Sequence, residues 1–437
     1  MQKTIIQIGS HVGDTINDPI FNILDNNTKL ILVEPVPFLF KQLINNYNKI
    51  FKTNQNIFFI NKAVSNFIGE IEMTIPSENN NWQDLPFWAS QLASVNSDHA
   101  TGHISSLLVE KINVKTTTIN EIVKEYNINQ IDLLHTDTEG HDYIILMDYD
   151  FVIKPKKIIF EHKHMDGLFQ IGIKYIELSN KLLSLGYKKT QQNSEDTTFE
   201  LVRVCVLQTD NRTSLNYLLK TQEVNKKFCN ILKYDYLFLE LDNNKYGDIH
   251  PATKKIHVVN DILQNTEYSI LVFLDSDAWI QNCYWLNDII NNLINNDEKQ
   301  GCFSRDPYIS IYTTFINSGS FIIKNNAFTK QMYDLIIKDL YNNNNYHNYW
   351  PYDQYYISKY IFENKEKFTI FLPDILNTPV GKVLRHNWLK NQKMYDDLNE
   401  IIALKNEDIC LDKTYFIEND YYDDLIFPNI ILTDYEY

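Results

Sequence analysis

Residue types able to do chemistry gather at two places in this 437-residue chain. The first opens with Ile5-Ile6-Gln7-Ile8-Gly9-Ser10-His11-Val12-Gly13-Asp14, an apolar strand running into a Gly-x-x-x-Gly turn. Glycine permits a tight turn there and lets a ligand approach the backbone where a Cβ would collide. The next apolar run, Leu30-Ile31-Leu32-Val33, ends on Glu34 followed by Pro35. A carboxylate at that point can accept both ribose hydroxyls of a nucleoside held over the glycine turn. A solvated glutamate at a strand end is the plain alternative, and the turn upstream makes it the weaker one. Further on, His135, Asp137, Glu139 and His141 close a third apolar run, and Glu161-His162-Lys163-His164 close a fourth. Imidazoles and carboxylates at strand ends can take a proton from a hydroxyl during group transfer. An Asp-x-Glu pair beside histidine is also a set able to hold a divalent cation. For any one of these histidines, orienting a loop by hydrogen bonds is the bland role.

The second place is Tyr268-Ser269-Ile270-Leu271-Val272-Phe273-Leu274, an apolar strand that ends in Asp275-Ser276-Asp277. Two carboxylates one residue apart at the mouth of a sheet can bind Mg²⁺ or Mn²⁺. Such a cation bridges the diphosphate of a sugar nucleotide and neutralises the departing charge. Acidic turns are common and usually only solvated, so the apolar strand before this one is what singles it out.

The first set resembles the FkbM-type methyltransferases over roughly the first 200 residues. The pieces are Ile8-Gly9-Ser10-His11-Val12-Gly13-Asp14, Val33-Glu34-Pro35, Asn61-Lys62-Ala63-Val64-Ser65 and Asp132-Leu133-Leu134-His135-Thr136-Asp137-Thr138-Glu139-Gly140-His141-Asp142. The resemblance implies a Rossmann-like fold binding S-adenosylmethionine and O-methylation, often of a sugar hydroxyl. It places Gly9, His11, Gly13, Asp14 and Asp137 around the cofactor, Glu34 on its ribose, and Ala63 and Val64 near its adenine. His135 stands where that family usually carries lysine.

The second set is similar to the GT-A glycosyltransferases, among them the galactosyl and mannosyl transferases of the family containing yeast Golgi mannan enzymes. The pieces, over roughly residues 201–390, are Lys254-Lys255-Ile256 before a helix, Leu271 to Ile280 with its Asp-x-Asp, and Ile316-Asn317-Ser318-Gly319-Ser320-Phe321-Ile322-Ile323-Lys324-Asn325. The resemblance implies a nucleotide-sugar donor held by Lys255, Asp275 and the Asn317 to Gly319 turn. It implies a metal on Asp275 and Asp277 with His386 completing the shell, and contacts from Asp353 and Gln354 to the reacting sugars.

Both sets need strands to carry them. Strand-like runs at residues 4–8, 29–33, 57–61, 131–135 and 157–160 alternate with helix-length segments, an α/β texture with a mostly parallel sheet. The texture restarts at 201–207, after the polar segment 191–198, with strands at 236–239, 270–274 and 320–323. Two domains follow, a Rossmann-like one over residues 1–200 and a GT-A-like one over 201–437. The Asn runs 79–81 and 342–345 read as loops, Trp279, Trp350 and Trp388 as core, and the acidic stretch 419–424 as solvated.

A net charge of -16 repels the phosphate backbone and offers no basic face to anionic lipid. Nucleic acid is therefore excluded as an expected partner; a nucleotide sugar and a glycan acceptor are the expected ones. The five cysteines lack zinc-type spacing and read as free thiols in a reducing compartment. No run of about 18 apolar residues provides a membrane anchor, and a cytoplasmic location is the expectation. The composite reading is a bifunctional glycan-modifying enzyme using S-adenosylmethionine and Mn²⁺ or Mg²⁺. Its rival is a methyltransferase whose second half only docks the glycan.

Overall fold

The computed structural model describes residues 2–13, 20, 27–50, 56–307, 315–343, 345 and 347–405. The chain divides into two compact units, Met1–Leu201 and Val202–Tyr437. Both are mixed α/β.

In the first unit the strands are β1 (Lys3–Ile8), β2 (Thr28–Val33), β3 (Ile57–Ile60), β4 (Ala63–Val64), β5 (Glu70–Pro76), β6 (Val109–Thr117), β7 (Leu133–Thr136), β8 (Lys157–Glu161), β9 (Tyr187–Gln192) and β10 (Asp196–Leu201). Seven form one sheet in the order β3-β2-β1-β7-β8-β10-β9, parallel from β3 through β8 and antiparallel beyond. Successive side chains of a strand point to opposite faces, and the core obeys that period. Ile6, Ile8, Ile31 and Val33 pack into one apolar cluster while Ile5, Leu30 and Leu32 pack into another. Burial on both faces explains why these strands read as continuous apolar runs. The polar segment 191–198 folds into the antiparallel pair of β9 and β10. Residues 131 and 132 precede β7, and the Asp132 side chain accepts a hydrogen bond from the Thr4 N–H at 2.8 Å. The strands β4, β6 and β5 make a separate three-stranded sheet.

Register decides where the chemistry sits. Ile8 pairs with Val33 and with Thr136, and Thr136 pairs with Phe160. The residues that follow, Gly9, Glu34, Asp137 and Glu161, therefore emerge at the same carboxyl edge. From β1 the chain fills one side of the sheet and then crosses to β7 on the other, so this edge holds a topological switch point, the usual ligand crevice of such sheets.

The second unit contains β11 (Val204–Asp210), β12 (Asp235–Glu240), β13 (Ile270–Leu274), β14 (Ala278–Ile280), β15 (Gly301–Arg305), β16 (Ile316–Lys324), β17 (Phe368–Phe371) and β18 (Leu384–His386). Its main sheet runs β12-β11-β13-β16-β15-β17, with β11 parallel to β12 and β13, and β16 antiparallel to β13 and β15. Val204, Val206, Ile270 and Val272 feed one core and Cys205, Leu207, Leu271 and Phe273 the other. The separate pair β14-β18 aligns Ala278 with His386.

Two local expectations are corrected. Lys254 and Lys255 do not precede a helix but lie buried inside the helix Pro251–Asn265. Residues 317–319 form no turn; they belong to β16, which pairs Asn317 with Ser304 of β15 and Ser320 with Leu274 of β13. Among the tryptophans, Trp279 is fully buried whereas Trp350 is 58% exposed. Cys205, Cys229, Cys283 and Cys302 are buried free thiols; Cys410 and the acidic stretch 419–424 lie outside the described residues. Among the described residues no helix is long and apolar enough to cross a membrane.

Candidate functional site

The turn after β1 is held by β2. The N–H groups of Gly9 and Ser10 both donate to the Val33 carbonyl at 3.0 Å, and Gly9 takes φ +82°. His11 follows at φ +47° and donates its N–H to Glu34 Oε2 at 2.9 Å. The other Glu34 oxygen accepts from the Val36 N–H at 2.8 Å. Glu34 is 4% exposed, and burial pushes its carboxyl up to about 8 against the pull of those two N–H groups. Gly13, at φ +71°, packs against Tyr47 and Leu43, so its missing Cβ serves helix packing. Asp14 lies outside the described residues.

These residues open onto a cavity of about 890 Å³ at the carboxyl edge. Gly9, His11, Glu34, Ala63 and Val64 line it, and so do His135, Asp137, Glu139, His141 and Glu161. The residues expected to act together thus share one cavity, apart from Gly13, which packs beside it, and Asp14. His135 is buried, burial lowers its imidazole to about 4, and its Nδ1 has no hydrogen-bond partner. His141 Nε2 meets Ser65 Oγ at 3.0 Å.

The carboxylates are crowded. Burial and then the charges of Glu139 and Asp142 hold Asp137 well above the usual carboxylate range, although its side chain is accessible to solvent. Burial raises Glu139 to about 8 and lifts Glu161 well above its ordinary value. Glu161 Oε2 is buried and unpartnered. Such clustering of displaced carboxyls marks functional sites more often than structural ones.

His99 and His103, on the short helix His99–His103, escaped sequence reasoning because no apolar strand announces them. His99 Nε2 lies 2.7 Å from Glu139 Oε2, and His103 and His164 pack beside it. Burial lowers all three imidazoles.

In the second unit Asp275, Asp277 and His386 converge closely enough to share a cation. The β14-β18 pairing brings this about, since Asp277 precedes the residue aligned with His386. His386 Nε2 lies 3.1 Å from Asp277 Oδ1 and 3.8 Å from Asp275 Oδ2. Against its burial cost, the attraction of His386 and then Lys390 holds Asp277 below the ordinary carboxylate range. The two carboxylates raise His386 despite burial. A Cβ on Gly319 would lie 2.1 Å from His386 Cε1, so only glycine leaves room for the ring.

Lys255 Nζ bridges Asp275 Oδ1 at 3.1 Å and Asp353 Oδ2 at 3.0 Å, and burial raises Asp353 to about 6. Asn317 and Gln354 do not reach that group; both donate to Asp306 Oδ2, at 3.3 and 2.7 Å. Asp306 and Lys390, which lies 3.1 Å from Asp277 Oδ2, carry no motif in the sequence.

No curated protein matches the chain. Solved structures with some likeness include a glycosyltransferase involved in the glycosylation of the major capsid of PBCV-1, at 14% identity and TM-score 0.37, covering 46% of this chain and 100% of that one. Methyltransferase FkbM from Methylobacillus flagellatus KT is 13% identical at TM-score 0.29, covering 45% of this chain and 43% of its own. The glycosyltransferase GlyE of Streptococcus pneumoniae TIGR4 is 13% identical at TM-score 0.32, covering 47% and 62%. The chain thus spans less than two thirds of the last two. Residues 7–189, which take in all of the cavity lining except Glu195 and Asp196, match the family model of the methyltransferase FkbM domain.

Proposed function

We propose that the chain is a bifunctional glycan-modifying enzyme, whose first unit methylates a sugar hydroxyl and whose second transfers a sugar from a nucleotide donor with Mn²⁺ or Mg²⁺. The observation that carries it is the convergence of Gly9, Glu34, Asp137 and Glu161 on one cavity at the switch point of the sheet. The residues fit S-adenosylmethionine: the turn residues Gly9 and His11 line the cavity beside Glu34, whose carboxylate oxygens accept only two backbone N–H bonds and keep lone pairs for ribose hydroxyls. Bound there, S-adenosylmethionine would supply a methyl group carried on a sulfonium. The crowded carboxyls favour a cationic ligand over an anionic one. Glu161, in its ionised form, accepts the acceptor's proton at the unpartnered Oε2, because burial and then the neighbouring carboxylates make it a stronger base than a free carboxylate. In the second unit Asp275, Asp277 and His386 hold the cation beside the donor's diphosphate.

One observation favours the rival, in which the second unit only docks a glycan. Lys255 and Lys390 already neutralise the two aspartates. Calorimetry on the full chain separates the readings. S-adenosylhomocysteine binding that Glu34→Ala abolishes, with nucleotide-sugar binding that requires Mn²⁺, supports two activities. Donor binding without any metal dependence favours docking, and failure to bind S-adenosylhomocysteine removes the methyltransferase reading.

A further inference from the structure

The histidines outside the predicted set form a cluster of their own. His99 and His103 stand one helical turn apart, so their side chains leave one face of the helix His99–His103. Glu139 and His164 face them, and one ligand atom from each of the four lies within 4.8 Å of every other. The three imidazole centroids are 4.7 to 4.8 Å apart. We propose that His99, His103 and Glu139 bind one divalent transition-metal ion of the zinc class, with His164 beside them, on the wall of the first unit's cavity.

Two nitrogens and a carboxylate oxygen suit zinc and leave a fourth position for an oxygen ligand. Zinc at about 2.1 Å from each atom needs ligands roughly 3.4 Å apart. His99 Nε2 and Glu139 Oε2, at 2.7 Å, have only to part slightly as the cation replaces their hydrogen bond. His103 Nε2 is buried without a hydrogen-bond partner, a lone pair that protein atoms leave unused. His164 plays a different part. Its Nδ1 accepts the Phe169 N–H at 3.2 Å, which leaves its proton on Nε2, facing Glu139 and Glu161 at 3.8 and 3.6 Å. It steadies the carboxylates from outside the ligand set, as outer partners of metal sites do. Phe169 packs edge-on against His103 at 4.7 Å and covers that side with an apolar ring. His103 and Glu139 line the cavity, so the open position faces it.

A competing set shares Glu139: Asp137, Glu139 and Glu161 also lie within 4.8 Å of one another. Oxygen-only ligands select Mg²⁺ or Mn²⁺, whereas imidazoles select zinc and cobalt. Metal choice therefore distinguishes the two sets. The proposal stands on side-chain geometry and does not depend on methyl transfer.

The test uses the full chain carrying Asp275→Asn and Asp277→Asn, which silences the acidic group of the second unit. Co²⁺ is added and its visible absorption followed, with Zn²⁺ as competitor. One equivalent of Co²⁺ with the intense band of a nitrogen-ligated, low-coordinate ion, displaced by Zn²⁺ and weakened more than about 100-fold by His99→Ala or His103→Ala, is the expected result. Absence of stoichiometric binding, unchanged affinity in the alanine variants, or preference for Mn²⁺ over Zn²⁺ overturns the proposal. Should an alanine variant lose its fold, the spectrum of the parent protein with Co²⁺ decides, and the weak band of an octahedral, oxygen-ligated ion overturns the proposal.

Discussion

Gly9 and Asp137 meet so closely that a Cβ on the glycine would lie 1.8 Å from the aspartate's carbonyl oxygen. The contact joins the turn after β1 to the end of β7, and the Asp137 N–H donates to the Ile8 carbonyl at 3.0 Å across the same seam. Gly9→Ala must therefore move backbone, and it also places a side chain at φ +82°. The left-handed conformation alone costs roughly 1 to 2 kcal/mol. We expect the variant to unfold at least about 2 kcal/mol more easily and to lose S-adenosylhomocysteine binding. Denaturant titration with calorimetry checks both, and wild-type behaviour in each would show that the two turns yield freely.

Glu34 offers a pH test. Burial pushes its carboxyl from the ordinary 4.5 up to about 8. A raised carboxyl contributes stability that is complete below pH 4.5 and is lost as pH climbs toward 8. Across that window Glu34→Gln should flatten the pH dependence of unfolding by up to about 1.4 kcal/mol per pH unit. Parallel denaturant series at pH 5, 6, 7 and 8 on both proteins give the slopes, and superimposable slopes would discount the displaced carboxyl.

Much of the first cavity was legible because apolar runs end where their chemistry begins. Ile8 to Gly9, Val33 to Glu34 and Phe160 to Glu161 are such ends, and parallel register makes them level. His99 and His103 were illegible for the opposite reason. They ride a helix of a single turn, and their meaning depends on Glu139 and His164 arriving from distant strands. The strand β6 hid as well, since VEKINVKTT keeps an exposed first half. In the second unit the Asp-x-Asp was plain from its strand, but Lys390 reaches Asp277 only after β14 pairs with β18. The sheet ladder that absorbs Asn317 and Gly319 is likewise tertiary, and local composition mimics a turn there.

Lys255 is the counter-ion of two carboxylates and is almost wholly buried with Asp353. Removing one member of a buried pair leaves an uncompensated charge and typically costs about 3 to 5 kcal/mol. Lys255→Met should destabilise the second unit by about 3 kcal/mol, and adding Asp353→Asn should recover part of the loss. Urea titrations of the two variants measure it, and a single variant as stable as the wild type would contradict the buried pair.

On the proposed reading Asp277 is the direct metal ligand, and Asp277→Asn is expected to abolish Mn²⁺-dependent sugar transfer while methyl transfer persists. Asparagine keeps the size and one acceptor oxygen but removes the charge that holds a divalent cation beside a diphosphate. In the structure that charge is shared by His386 at 3.1 Å and Lys390 at 3.1 Å. Mn²⁺ must take over from both, and His386 must give up its proton before its nitrogen can ligate. Because the aspartates raise the His386 pKa, Mn²⁺ affinity should increase as pH rises through that raised value. Lys390→Met removes the competing ammonium, so it should tighten Mn²⁺ several-fold at constant pH. Asp275 differs: its Oδ2 is farther from His386, at 3.8 Å, and its other oxygen is engaged by Lys255. Asp275→Asn is accordingly expected to weaken Mn²⁺ without erasing turnover. Donor turnover measured against Mn²⁺ concentration for the wild type and the three variants, with methyl transfer followed as the folding control, tests the ranking. Wild-type metal dependence in Asp277→Asn would take the cation off this aspartate, and absence of donor turnover in the wild type would leave the docking reading.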